Sequence, residues 1–560
     1  STKLTIGVRP LLAFHPFPIS FFPDQTRLDL SAGFITPSWH IFSGFKGENR
    51  VELKPNVLTA IAIAALVLSA IGAGAGLMAL TTPGTEGPEG PAGETGPAGP
   101  EGEAGYGFAS FVMAAHDSID NENADFVCDG EDDQVQINAA ISSLPDQGGS
   151  VYLREGTFVL SGGVNIAKSN VTIMGSGAGT VLKVEDDLNG TMTVMRVSNC
   201  DSVVIRDLSI DGNVDMNAEG SCDGLVFEQC SDSRVSGVRV RDLKGVGIEL
   251  SSSYLMTVDN SGVRDCRSQG IMVNYSVSVS VSGNILQSCG GESVLLTSSR
   301  DCAVRGNQVL YGASHGVYLD LSNYNMIENN VLRGCEKNGL LLDTSQYNTI
   351  SGNQVFDSGN WGVLLNTASD HNTVAGNSVS SSGYDGIRTD GSAGNSIVIN
   401  LVLDSGWTGL MLYDSDDTVV DGNAVDSCFY SAISVYYSNR VVISGNTFKW
   451  ADQHGIEISG SDDCVISGNA VSCNSFRVDN SYSGIYITGD SDRNLIDGNI
   501  VRVGYTSYRQ RYGVYIHSSM CNDNVLINND LYTSGWTDEY VNDGSGTIIH
   551  NNRLDTGWTP

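Results

Sequence analysis

Basic residues are scarce in this chain. Thirty lysines and arginines stand against sixty-four aspartates and glutamates over 560 residues, giving a formal net charge of -34, and only eight of the thirty are lysine. Proteins that grip phosphate need a basic surface, so nucleic acid is excluded as a partner. The twelve cysteines show no CxxC or other metal-ligand spacing, which removes the common zinc modules. A nucleophile with a paired base is likewise not evident. The acidic, lysine-poor surface suits solvation in a salty medium or the binding of cations. No cofactor is required by any pattern, and Ca2+ is the cation such aspartates would accept.

What is present is a repeat. Glycines that open an apolar-x-apolar stretch stand at Gly224, Gly247, Gly270, Gly316, Gly339, Gly362, Gly386, Gly409, Gly455, Gly484 and Gly513, with Ser293 and Ala432 in the gaps. A second column runs Asn284, Asn307, Asn330, Asn353, Asn377, Asn400, Asn423, Asn446, Asn469, Asn499, Asn529 and Asn552. Most steps are 23 residues, and two columns locked to one period mean stacked identical units. Such a period fits helical hairpins or a β-solenoid. Stretches such as Leu340-Leu341-Leu342 and Ile456-Glu457-Ile458 are bounded by Gly, Asp and Ser and are too short for helices. Short strands pairing in parallel about 4.8 Å apart, with right-handed crossovers, predict an all-β fold: a right-handed parallel β-helix. Glycine then supplies a tight bend, and inward asparagines bond along their column.

Asn348-Thr349-Ile350-Ser351-Gly352-Asn353 and Asn372-Thr373-Val374-Ala375-Gly376-Asn377 resemble the repeats of NosD-like surface and periplasmic proteins in the pectin-lyase-like superfamily. The stretches Cys128 to Gln134 and Gly148 to Leu153 are similar to that superfamily's amino-terminal cap. The resemblance covers about residues 125 to 560 and implies the fold. It leaves activity open, because the superfamily holds lyases, hydrolases, epimerases, adhesins and binding proteins.

Upstream of the repeat, residues 1–50 show no period and read as sequence upstream of a true start, with Val51 as the candidate start. Residues 51–82 predict a signal anchor: Val57 to Leu80 is apolar and long enough to span a bilayer. Lys46, Arg50 and Lys54 precede it and no lysine or arginine follows until Arg154, so the amino terminus is expected inside and the remainder outside. A cleaved signal peptide, giving a secreted protein, is the rival. Residues 83–107 carry eight glycines at strict threes, from Gly84 to Gly105. This collagen register fits an extended single-chain stalk or, with help from neighbouring domains, a homotrimer. Residues 108–150 are assigned to a cap with one amphipathic helix, Asp132 to Leu144, and 151–560 to the β-helix. Cys266, Cys289, Cys335 and Cys428 repeat in register as small core residues; Cys266 and Cys289, on adjacent rungs, would pair if their side chains faced each other.

Three features point to binding. Trp361, Tyr384, Trp407 and Tyr430 follow one another at 23-residue intervals and predict a flat aromatic track along the axis, suited to sugar rings. Two longer rungs insert loops holding Phe476, Arg477 and Tyr482, then Tyr505, Tyr508, Arg509, Arg511 and Tyr512, and arginine beside aromatics fits a carboxylate-bearing glycan or an acidic loop. The outward position after the glycine reads Met272, Leu295, Tyr318, Leu341, Leu364, Arg388 and Met411, an apolar stripe suited to packing against another subunit or surface. For catalysis the candidates are Asp320, Asp343 and His315. Ser314-His315-Gly316 echoes a polygalacturonase motif whose companion signatures are missing, and no Asp-Pro-His-Glu epimerase motif occurs. The reading that results is a membrane-anchored surface protein binding polysaccharide or a neighbouring envelope component. A polysaccharide lyase or glycoside hydrolase, and a structural envelope protein, remain the alternatives.

Overall fold

A computed structural model describes residues 109–560 except 189, 218 and 505–508. Three long parallel sheets of 19, 15 and 16 strands make up most of this region, and a regular rung contributes one short strand to each. One rung serves for all: Thr349–Ser351 in the first sheet, Gln354–Phe356 in the second and Val363–Asn366 in the third. Ile350, Val355, Val363 and Leu365 point inward with no exposure, as period-two alternation requires of strands with one face on the core. The right-handed parallel β-helix expected from the repeat is the fold observed.

The glycine column is set by close approach of the backbone. A Cβ on Gly339 would lie 2.2 Å from the Val355 side chain and 2.8 Å from the carbonyl of Gly362, so no larger residue fits without moving the rung above. The asparagine column forms a continuous buried ladder. Asn353 donates its backbone N–H (2.9 Å) and its amide (3.0 Å) to Oδ1 of Asn377, which does the same to Asn400. A second ladder, of serines, lies at the corner leading into the first sheet: Oγ of Ser276, Ser299, Ser322 and Ser345 each accept the N–H of the serine one rung earlier.

Cys266 and Cys289 both carry free thiols, so the bridge between them does not form. Side chains in one inward column of a parallel ladder point the same way about 4.8 Å apart, beyond the usual Cβ separation of a disulfide. The capping helix is shorter than expected, Gln134–Ser143. Asp132 has φ of 51°, a left-handed conformation that cannot start a helix, and Val135 is exposed rather than on the apolar face. Asp133 is buried and accepts the N–H groups of Gly130 (2.9 Å) and Val159 (2.7 Å). The amide of Asn138 donates to the carbonyl of Gly163 (3.0 Å) and accepts the N–H of Asn165 (2.8 Å), closing the open edge at Val164–Ile166 against further strand pairing. At the other end the hydroxyl of Thr559 accepts the N–H of Asn552 at 2.7 Å and terminates the ladder. The anchor, the collagen-like stretch and residues 1–50 lie outside the described residues. Among the described residues no helix is long and apolar enough to cross a membrane.

Candidate functional site

Each strand of the third sheet turns its second and fourth side chains outward, and the residue before the glycine column stands at the corner beside them. Asp320 and Asp343 are brought side by side on this face, whereas His315 stands at the corner before the strand that ends in Asp320. Asp320 pairs in register with Asp343, and Asp343 with Asn366. The His315 ring lies 5.5 Å from that of Tyr318, and its Nδ1 accepts the N–H of Asn338 at 3.3 Å. Burial, reinforced by Lys337, pushes His315 down to about 4, so it is neutral at neutral pH. Burial and then Asp343 raise Asp320; burial and the nearby carboxylates push Tyr318 up to about 12. Among the described residues no hydrogen bond joins His315 to either aspartate, so an acid–base relay between them is not assembled. Nor is any group of three or more His, Cys, Asp and Glu side chains among the described residues arranged to hold a metal ion.

The expected apolar stripe is not exposed. Leu295, Leu341 and Leu364 are buried at 7 to 8% exposure, and Met272, Tyr318, Arg388 and Met411 are half-buried. Neighbouring rungs stand close enough for outward side chains to shield one another, and corner residues lean over them, as His315 does over Tyr318.

The aromatic residues make contact in sequence, although not as one flat column. Gly362 N–H donates to Asp385 O and Tyr384 N–H to Asn360 O, which places Trp361 in line with Asp385 rather than with Tyr384. This rung has an extra residue, taken up at Thr367 and Ala368, both left-handed with φ of 44° and 53°. Ring centroids are 5.2 Å apart for Trp361–Tyr384, 4.4 Å for Tyr384–Trp407 and 6.4 Å for Trp407–Tyr430, with interplanar angles of 60°, 34° and 68°. The result is a tilted, edge-to-face row. Trp407 and Tyr430 expose 40% and 38% of their surface, while Trp361 and Tyr384 are half-buried. Trp361 donates its indole N–H to the buried Asp385 at 3.2 Å, which Arg388 also contacts at 3.3 Å.

The row continues into a pocket. Phe429 packs on Tyr430 at 5.3 Å and, with Trp450, Asp452, Phe476 and Arg477, lines a cavity of about 310 Å3. Arg477 lies over the Phe429 ring at 5.1 Å and pairs with Asp452 at 2.8 Å. Arg509 pairs with Asp479 at 3.6 Å and lies on Trp536. Two of the three loop arginines are therefore neutralised internally. Arg511, over Tyr512 at 4.8 Å, is exposed and has no ion pair among the described residues. Tyr505 and Tyr508 lie outside the described residues.

Tyr482, expected from the sequence as a binding residue, joins a second cluster further along the same face whose other members sequence reading missed. His454 stacks on Tyr486 at 4.2 Å and 7° and meets the edge of Tyr482 at 5.1 Å. The Tyr486 hydroxyl is 2.7 Å from Nδ1 of His517, and the Tyr515 hydroxyl donates to Asp543 at 3.0 Å. Burial raises Tyr486 and pushes Tyr515 up to about 12, with Asp543 adding to it. Following the outward column beyond Met411 to Ser434, Glu457, Tyr486 and Tyr515 would have revealed it. Burial also pushes His454 down from 6.5 to about 3. The unfolded chain therefore binds the proton first, and stability contributed by neutral His454 is present above about pH 6.5 and lost as pH falls toward 3, at about 1.4 kcal/mol per pH unit. The wild-type advantage in unfolding free energy over His454→Gln should shrink by that amount per unit between pH 6 and 4. An advantage that stays flat with pH would show that His454 is not held neutral.

Among solved structures, similar ones include the A-modules of two mannuronan C-5 epimerases of Azotobacter vinelandii. These are AlgE6 (17% identity, 75% of this chain and 95% of that chain, TM-score 0.34) and AlgE4 (20%, 64% and 91%, 0.39). DFA-IIIase of Arthrobacter chlorophenolicus A6 in complex with GF2 is another (15%, 56% and 94%, 0.45). At these identities the likeness extends to the fold alone. No curated protein matches the chain. The family described as right handed beta helix region matches residues 119–309, 223–379 and 358–501, together more than half of the sequence, and the chain belongs to this family.

Proposed function

We propose that the protein binds a linear polysaccharide at the corner between the second and third sheets, displayed outside the cell by the apolar segment at 57–80. The carrying observation is the contiguous row Trp361–Tyr384–Trp407–Tyr430, which opens into the pocket of Phe429, Trp450 and Phe476. Rungs advance by about 4.8 Å, close to one sugar residue, so a glycan lying along the axis would meet one ring per rung. The apolar segment and the basic residues before it support display at the surface.

Trp407→Ala is expected to weaken glycan retention by about 1 to 2 kcal/mol through lost stacking and burial, with melting unchanged because the ring is partly exposed. Trp361 is a poorer probe, since its loss also removes one of the hydrogen-bond donors to the buried Asp385. Titration of a glycan panel against Trp407→Ala and Trp407→Ala/Tyr430→Ala checks this. Retention unchanged in the double variant, with normal melting, removes the row as the site.

A second reading rests on the Tyr486–His517 hydrogen bond. A tyrosine and a histidine linked on an outward face can pass a proton, which suits a polysaccharide lyase or hydrolase. New reducing ends or double-bond absorbance on incubation with the same panel, abolished by His517→Ala, would favour it. The buried apolar stripe withdraws its support from a purely structural packing role.

A further inference from the structure

On a body this acidic, one patch gathers arginines. The outer face of the second sheet near the amino-terminal end holds a groove of about 850 Å3 spanning the rungs of Ser209, Arg239, Gly262 and Ile285. Arg239 and Arg241 project from one strand. Arg264 lies on the next, where Arg241 pairs in register with Arg264 and Arg239 with Gly262. Arg241 is neutralised by Asp211 at 2.5 Å and Asp242 at 3.0 Å. Arg264 comes only within 4.0 Å of Asp265, and Arg239 has no ion pair among the described residues. Both are exposed. A Cβ on Gly262 would meet nothing within 4 Å, so open space adjoins Arg239.

Arg241 and Arg264 face each other across the two strands, and with Arg241 held by its aspartates the guanidinium groups left to meet a ligand are those of Arg239 and Arg264. Arginine grips carboxylates with paired N–H donors, which suits Arg239 and Arg264 to an anionic ligand lying in the groove. The groove is open and shallow, floored by Ser209, Ser261 and Gly262, and long enough for several sugar units. Ile285, 49% exposed, offers an apolar surface to a sugar ring.

We propose that this groove binds the carboxylates of a uronate-rich polysaccharide, with Arg239 and Arg264 as the contacting residues. The site lies on the face of the second sheet several rungs before the aromatic row and does not depend on it. Calorimetry with the full chain would compare a galacturonate hexasaccharide, a neutral glucose hexasaccharide and hexaglutamate. The acidic sugar should bind more tightly than the other two, and its affinity should fall with added salt. Arg239→Gln/Arg264→Gln should weaken it at least tenfold without lowering the melting temperature. Arg300→Gln/Arg333→Gln, the same charge change elsewhere on the surface, should leave it unaltered. Hexaglutamate binding equally well would overturn the assignment to a glycan. Loss of acidic-sugar binding in Trp407→Ala but not in the arginine pair would place the anion at the aromatic corner instead and also overturn it.

Discussion

Asn377→Ala is expected to lower the unfolding free energy by about 3 to 5 kcal/mol, although it removes one small polar group from a chain of 560 residues. Asn377 is 1% exposed. Its Oδ1 accepts the backbone N–H and the side-chain amide of Asn353, and its own amide donates to the carbonyl of Ile350 at 2.9 Å and to Asn400 at 3.0 Å. Alanine leaves the Asn353 N–H buried without a partner, and each such group costs about 1 to 3 kcal/mol. Gln354→Ala, at an exposed strand position next to the ladder, should change stability by less than about 0.5 kcal/mol. Denaturant unfolding of both variants, followed by circular dichroism, provides the comparison. A cost below about 1 kcal/mol for Asn377→Ala would mean that water or a backbone shift repairs the gap.

Leu342→Asp should be more damaging still. Leu342 has no exposure and lies in register between Leu319 and Leu365, so the carboxylate has neither water nor a cation to meet. Burying it unpaired and losing the leucine contacts together exceed about 5 kcal/mol. The melting temperature should fall by more than about 10 °C, or the variant should accumulate unfolded. Asp343, the next residue, turns outward and is already an aspartate. A variant that melts within 3 °C of the parent, about the shift that 1 kcal/mol produces, would show that position 342 is not inward.

The columns were legible because each has one physical cause acting at one place in every rung. Gly339 admits no Cβ, and Asn353 must satisfy a buried turn, so both recur and the period stands out. The serine ladder at Ser299 and Ser322 was not, because serine is also abundant at exposed positions and carries no periodic contrast. Trp361 was assigned to the wrong column because its rung gains a residue after it, at Thr367–Ala368, so a spacing of 23 joined two residues that are not counterparts. Arg477 and Arg509 read as free cations until stacking placed Asp452 and Asp479 beside them. His454, Tyr486 and His517 escaped notice because the two lengthened rungs break the period between them.

The ladders also determine how the molecule carries a mechanical load. Their bonds run from each rung to the next, as do those of the three sheets, so a pull between two points along the axis passes in series through every interface between those points and through no other. Within one interface the asparagine, serine and strand bonds share the force in parallel. A ligand held at Trp407 and tugged against the amino-terminal end would strain the rungs before it and leave those from His454 onward slack. Rupture would then begin at whichever loaded interface has the fewest bonds, while the rungs beyond the ligand kept their fold.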